Sequence, residues 1–175
     1  LITPNKPFFY FEALKRWEQI VIYSYIFITI TLFFFYNNVE PSGKEGILIA
    51  YAIGTQLSLY FGLYTSLRNL KSYLIWCFFG LLHLLVYFLT KSDQSLEMAR
   101  GNASIILINT IPLLILFQVL RYISLELQHR EFVAPAHGGG KDLFENKKVT
   151  FVDFIIFIIY IGVCVGLFIL PLNIS

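Results

Sequence analysis

The sequence predicts an all-α, polytopic integral membrane protein: five transmembrane helices in a compact bundle, preceded by an N-terminal amphipathic helix in the membrane interface. Three observations predict it. Apolar runs at 20–36, 46–66, 73–89, 103–120 and 151–170 each approach the roughly 20 residues a helix needs to cross about 30 Å of hydrocarbon. Asp153 is the one charged residue inside any of them. Composition agrees: 57% hydrophobic, 18% aromatic and 14% charged, with mean hydropathy +0.70, leaves too little polar surface for a soluble fold. At 175 residues the chain has room for one membrane domain. It divides into a cytoplasmic interfacial arm, 1–19, and the five-helix domain, 20–175, with a long cytoplasmic loop at 121–150.

The arm is read as a small helix from Pro7 to Gln19. Pro7 suits a first helical turn, and Phe8, Phe11, Leu14 and Trp17 recur at three-residue spacing, apart from Lys15, Arg16 and Glu18. Such a helix lies in the interface with Trp17 at headgroup depth, more simply an anchor than a partner-binding element. The chain opens with Leu1 rather than Met, which points to residues missing before it. The arm does not read as a signal peptide, because no small-residue cleavage site follows a short apolar core.

The first two spans meet across the turn Asn37-Asn38-Val39-Glu40-Pro41-Ser42-Gly43, and the next two across Arg68-Asn69-Leu70-Lys71-Ser72. With the 91–102 connection also short, the first four spans pack as near neighbours in sequence order. In the fourth span Pro112 removes a backbone donor and frees the carbonyl of Ile108, so a kink is expected there. Helical character continues from Arg121 to Glu131 and breaks at Val133-Ala134-Pro135-Ala136-His137-Gly138-Gly139-Gly140. Thr150 restarts a helix. The 121–150 loop is the longest segment outside the spans, and long loops carry function more often than short ones, so a cytoplasmic partner would be sought there.

Charge distribution sets the orientation. Lys6, Lys15, Arg16, Arg68, Lys71, Arg121, Arg130, Lys141, Lys147 and Lys148 fall on one side of the five spans, and Lys44, Lys91 and Arg100 on the other. The positive-inside bias therefore predicts a cytoplasmic N-terminus and an external C-terminus. Residue usage heavy in Phe, Ile, Tyr, Asn and Lys points to a bacterial or organellar source, with the bacterial inner membrane as the expected location.

The most regular motif concerns packing. Ala50, Gly54, Ser58, Gly62 and Ser66 recur every four residues in the second span, and Gly162 and Gly166 repeat the spacing in the fifth. Apolar side chains do not drive helices together in lipid, so close approach relies on backbones meeting across small residues. These stripes serve either internal packing or contact with another chain.

Intramembrane polar residues come next, since each is costly unless paired or functional. Gln56, His83 and Asn109 lie on three adjacent spans where they are able to meet, forming either a pathway or interhelical hydrogen bonds that fix helix rotation. One His with no second ligand or carboxylate at its depth makes a poor metal site and an incomplete proton relay. Arg121 and Asp153 are candidates for an ion pair where the fourth and fifth spans reach the cytoplasmic face. The plainer reading of Asp153 is a helix cap, because Thr150-Phe151-Val152-Asp153 has capping-box spacing.

Other chemistry finds no footing. His137-Gly138-Gly139-Gly140-Lys141-Asp142 lacks the phosphate-loop spacing and has Asp where Ser or Thr would bind magnesium. Cys77 and Cys164 read as small apolar residues within spans, and His129 with His137 makes a weak metal pair. No cofactor or metal is expected. Basic residues are too few and too close to the membrane for nucleic acid. The leading expectation is a non-catalytic subunit or scaffold of a larger membrane complex, its partners membrane lipids, other integral membrane proteins or further copies of itself, and a cytoplasmic protein at 121–150. The alternatives are a small oligomeric transporter or channel using the intramembrane polar residues, and a membrane enzyme acting on lipid.

Overall fold

The computed structural model describes residues 7–98, 101–135 and 141–169, with backbone alone at Asn37, Pro41 and Ser42. It is built from α1 (Arg16–Phe35), α2 (Pro41–Phe61), α3 (Leu70–Thr90), a 3₁₀ segment (Ala103–Asn109) running directly into α4 (Thr110–Gln128), and α5 (Phe151–Ile169). A minimal antiparallel pair, β1 (Glu97–Met98) with β2 (Gly101–Asn102), closes the connection before the 3₁₀ segment. Four helices are long and apolar enough to cross a membrane: α1, α3, α4 with its 3₁₀ lead-in, and α5. The 21-residue α2 is as long, but Lys44, Glu45, Thr55, Gln56 and Ser58 dilute its apolar content.

The central element is α4. Of its most apolar stretch, with the lead-in, 56% is buried, against 11% for α1, which wraps the outside. The main core joins Leu59, Tyr60, Trp76, Phe117, Phe132 and Tyr160, and a smaller one gathers around Ala52, Ile106 and Leu107. Among the described glycines Gly80 is the most closely packed. A Cβ there would come 3.0 Å from Ile111 Cγ1 and 3.5 Å from Leu114 Cδ1, so α3 and α4 approach as closely as a missing side chain allows.

One expectation is corrected. The arm is not a helix from Pro7 to Gln19: residues 7–15 are non-helical, and α1 begins at Arg16 once the Glu18 carboxylate takes the Lys15 N–H at 2.6 Å. Asn69 holds the arm extended. Its side chain accepts from the Glu12 N–H and donates to the Glu12 carbonyl, while the Leu70 N–H donates to the Tyr10 carbonyl. These backbone groups are satisfied by a distant loop rather than by a helix of their own. Pro112 lies in the first turn of α4, and the helix type changes from 3₁₀ to α just before it, within the one apolar stretch that runs from Ala103 to Gln128.

Of the two uses left open for the small-residue stripe of α2, internal packing is not made by its Ala50, Gly54 and Ser58 part. Ala50, Gly54 and Ser58 are exposed, as is Gly162 on α5, and a Cβ at Gly54, Gly162 or Gly166 would meet nothing within 4 Å. Gly62 caps α2, and Ser66 lies beyond its end, its hydroxyl 2.7 Å from that of Ser72.

Candidate functional site

Two polar clusters lie inside this apolar chain. The first is in the middle of the bundle. Tyr25 and Thr29 share one face of α1, and Tyr51 and Thr55 one face of α2, each pair one turn apart. Both threonines donate to the carbonyl four residues back, Thr29 to Tyr25 and Thr55 to Tyr51, at 2.8 Å. Their oxygens are left to accept. His83 of α3 enters this cage with Nε2 2.6 Å from the Tyr25 hydroxyl and 3.1 Å from the Tyr51 hydroxyl, while Nδ1 lies 2.8 Å from Thr110 Oγ1 on α4. The two tyrosine hydroxyls are 2.7 Å apart with their rings stacked, and the Trp76 and Phe79 rings flank Tyr25. Four helices thus converge on one buried imidazole.

Gln56 and Asn109 do not join it. Gln56 donates to the Ile106 carbonyl at 2.8 Å and Asn109 to the Leu167 carbonyl at 2.9 Å, so each ties its helix to a neighbour at a separate place. The sequence reading missed the hydroxyl partners. Their signal was Y-x-x-x-T, written twice, at Tyr25–Thr29 and Tyr51–Thr55.

The second cluster closes the end of the bundle where α2 meets α3 and α4 meets α5. Arg121, 1% exposed, binds both carboxylate oxygens of Glu131 through Nε and Nη2, and its guanidinium lies 4.4 Å from the centre of the Phe8 ring. Arg68 bonds Glu145 at 2.9 Å and the Phe132 carbonyl at 2.6 Å. Of the two readings of Asp153, the ion pair with Arg121 does not form: Asp153 pairs with Arg130, the residue just past the left-handed turn at His129. The same carboxylate accepts from Gln128, from the Val133 and Thr150 N–H groups and from the Thr150 hydroxyl, while the Asp153 N–H donates to Thr150 Oγ1 as in a capping box.

Asp142 organises the return of the loop, accepting from the Tyr64 hydroxyl and from the N–H groups of Phe144, Glu145 and Lys147. Burial opposes ionisation of Asp142, but Tyr64 and these backbone donors outweigh it and hold the carboxyl below its usual range. For Glu145 burial is likewise outweighed, here by Arg68 and Lys147. Chemically this end is a fastening: guanidinium donors of the bundle grip carboxylates of the loop.

The His137 to Gly140 part of the loop lies outside the described residues. Among the described residues no three His, Cys, Asp or Glu side chains are arranged to hold a metal, and Cys77 and Cys164 are free thiols. No protein-family model matches this chain, and neither a curated protein nor a solved structure is similar enough to count as a relative.

Proposed function

We propose that the chain is a non-catalytic integral subunit or scaffold of a larger membrane assembly, inserted as five spans in a bacterial inner membrane with the arm and the 121–150 loop in the cytoplasm. The observation that carries this reading is the outward face of α2. Ala50, Gly54 and Ser58 stand exposed at one-turn spacing, while the opposite face buries Ala52, Thr55, Gln56, Leu59 and Tyr60. A lipid-facing helix has no need of small residues. A helix contacting another helix does, because they let two backbones approach. Exposed Gly162 extends the argument to α5, and exposed Leu143 and Phe144 offer an apolar contact on the loop. Short connections at both ends of α2 return the chain across the bundle and support a fifth span despite its polar residues.

Native mass spectrometry after mild extraction tests the reading. A partner is expected at fixed stoichiometry and is lost in Gly54→Leu or Gly162→Leu with helical content unchanged. A chain that emerges alone refutes it. Orientation is tested separately by an impermeant thiol reagent in a Cys77→Ser, Cys164→Ser background: Asn38→Cys labels from outside, and Lys148→Cys only after permeabilisation.

A small transporter or channel is the second reading, favoured by the hydroxyl cage around His83 within the bundle. Proton or ion flux into proteoliposomes, abolished in His83→Ala, would move the conclusion to it.

A further inference from the structure

We propose that the turn formed by residues 141–148 binds the phosphate headgroup of an anionic phospholipid, with Lys141 and Lys148 as the charged contacts and Leu143 and Phe144 against the acyl chains. The first observation is a pairing that the chain alone does not favour. Lys141 and Lys148 stand opposite each other in an antiparallel bridge, beside the Asp142 N–H that donates to the Lys147 carbonyl at 3.0 Å. Directly opposed residues project to the same face with Cβ atoms about 5 Å apart, and like charges there repel. Both lysines are exposed. Neighbouring carboxylates do not relieve them. Asp142 is occupied by the Tyr64 hydroxyl and the N–H groups of Phe144, Glu145 and Lys147, and Glu145 by Arg68 and Lys147. Among the described residues neither the Lys141 nor the Lys148 ammonium has an ion-pair partner. A phosphate held between the two supplies the missing negative charge.

The second observation is position. Lys148 precedes by three residues the first residue of α5, Phe151, and α5 is long and apolar enough to cross a membrane. Three residues reach about 10 Å at most, so the lysine pair stays close to headgroup depth. At the tip of the turn Leu143 and Phe144 are 42% and 62% exposed. The Phe144 ring stacks on Tyr64 at 5.8 Å; three and four positions earlier in the chain, Phe61 and Tyr60 each meet the Phe157 ring of α5 at 6.0 Å. These rings carry the apolar flank of α2 and α5 out to the turn. An apolar tip beside paired cations matches the two parts of a lipid, acyl chain and charged phosphate, and a basic group near an anionic bilayer surface gains about fivefold in affinity. A free phosphate would leave the tip unused. On this assignment Leu143 and Phe144 face lipid, and the protein contacts of the assembly stay with α2 and α5. The inference rests on the proposed insertion of α5 as a span and not on a partner for α2.

The test uses the full chain, reconstituted in nanodiscs of phosphatidylcholine with phosphatidylglycerol as the minor lipid, then released into mild detergent and weighed by native mass spectrometry. A chain that does not enter the nanodisc overturns the insertion of α5 and this site with it; every later result bears on the site alone. The expected result is retained phosphatidylglycerol in excess of its share of the bilayer. That excess should fall about fivefold in Lys141→Gln and in Lys148→Gln and vanish in the double variant. Lys91→Gln, at the far end of α3, should leave it unchanged. Both turn lysines are exposed and are held through their backbones, so the glutamine variants keep the turn. Retention that follows the bilayer ratio, or an excess that survives in the double variant, overturns the proposal. So does displacement of the lipid by excess inorganic phosphate, which would make the lysines a free-anion site, and so does an acidic protein retained in its place through the same two lysines.

Discussion

The two polar clusters of this bundle solve the same problem with different chemistry. In the middle, where apolar side chains surround them, the groups are hydroxyls and one imidazole, and two hydroxyls bond their own helix before meeting any neighbour. At the end, where the helices meet loops, the groups are mostly guanidinium and carboxylate, and most of the bonds reach the 129–150 segment. The difference follows from the cost of an unmade bond. A threonine turned back on its own carbonyl strands little if a neighbour moves, whereas a stranded buried charge is expensive. The middle cluster is therefore expected to tolerate change and the end cluster to resist it.

The largest effect should come from Asp153→Ala. The substitution leaves the Arg130 guanidinium, the Gln128 amide and the Val133 and Thr150 N–H groups without their common acceptor, at a fully buried position. Arg130 is part-exposed and can turn to water, so the cost is that of the buried donors left unmade, about 1–3 kcal/mol, measurable by reversible denaturant unfolding in mixed micelles. A loss below about 1 kcal/mol would erase the contrast between the clusters.

Acid should act next, and locally. Asp142 and Glu145 both hold folded-state pKa values below their ordinary ones, so their contribution is present above about pH 4 and is lost as pH falls through the lowered values. Hydrogen exchange at the N–H groups of Phe144, Glu145 and Lys147, corrected for intrinsic rate, should rise below about pH 4 while the amides of α4 stay protected. Simultaneous exposure of both would mean that the loop and bundle open as one unit.

A third measurement separates packed from unpacked glycines. Gly80→Ala places a methyl group 3.0 Å from Ile111 Cγ1 and should cost about 1–3 kcal/mol by overpacking. Gly54→Ala and Gly162→Ala meet open space and should leave the stability of the isolated chain unchanged or slightly raised. Equal costs at all three positions would show that the α2 and α5 stripes pack within the bundle after all.

These positions also show what was legible in the sequence. Helix number and approximate limits follow from apolar length, a property of the chain alone, and α1, α3 and α5 begin or end within a few residues of the expected spans. The order of neighbours follows from short connections. Pairings between distant residues do not. Arg121 has Glu131 and Asp153 within reach of its stretch of chain, and only the left-handed turn at His129 decides that Arg130 takes Asp153. Likewise the three-residue spacing in the arm is compatible with a helix, but Asn69, 57 residues from Glu12, offers the backbone a competing set of bonds. A small-residue stripe shows that close approach is possible and says nothing of which neighbour makes it. Gly80, alone among bulky residues, carries the internal contact.

The smallest expected effect gives the finest test of the comparison, because it asks whether a hydroxyl matters by its presence or by its bonds. Tyr51 and Tyr60 both lie on α2, nine positions apart. The Tyr51 hydroxyl contacts Tyr25, Thr29 and His83, whereas the Tyr60 hydroxyl is buried with no hydrogen-bond partner among the described residues, its ring packed against Tyr160 and Phe132. Removing an oxygen that bonds three groups should cost about 1 kcal/mol, tempered by the ability of Thr29 and Tyr25 to re-pair. Removing one that bonds nothing relieves a desolvated dipole and should leave stability unchanged or raise it by about 1 kcal/mol. Tyr51→Phe and Tyr60→Phe, compared in the same micelles, should therefore differ in sign or nearly so. If both destabilise equally, the Tyr60 hydroxyl has a partner that binds it in the membrane, and the bundle holds a third polar site between the two clusters.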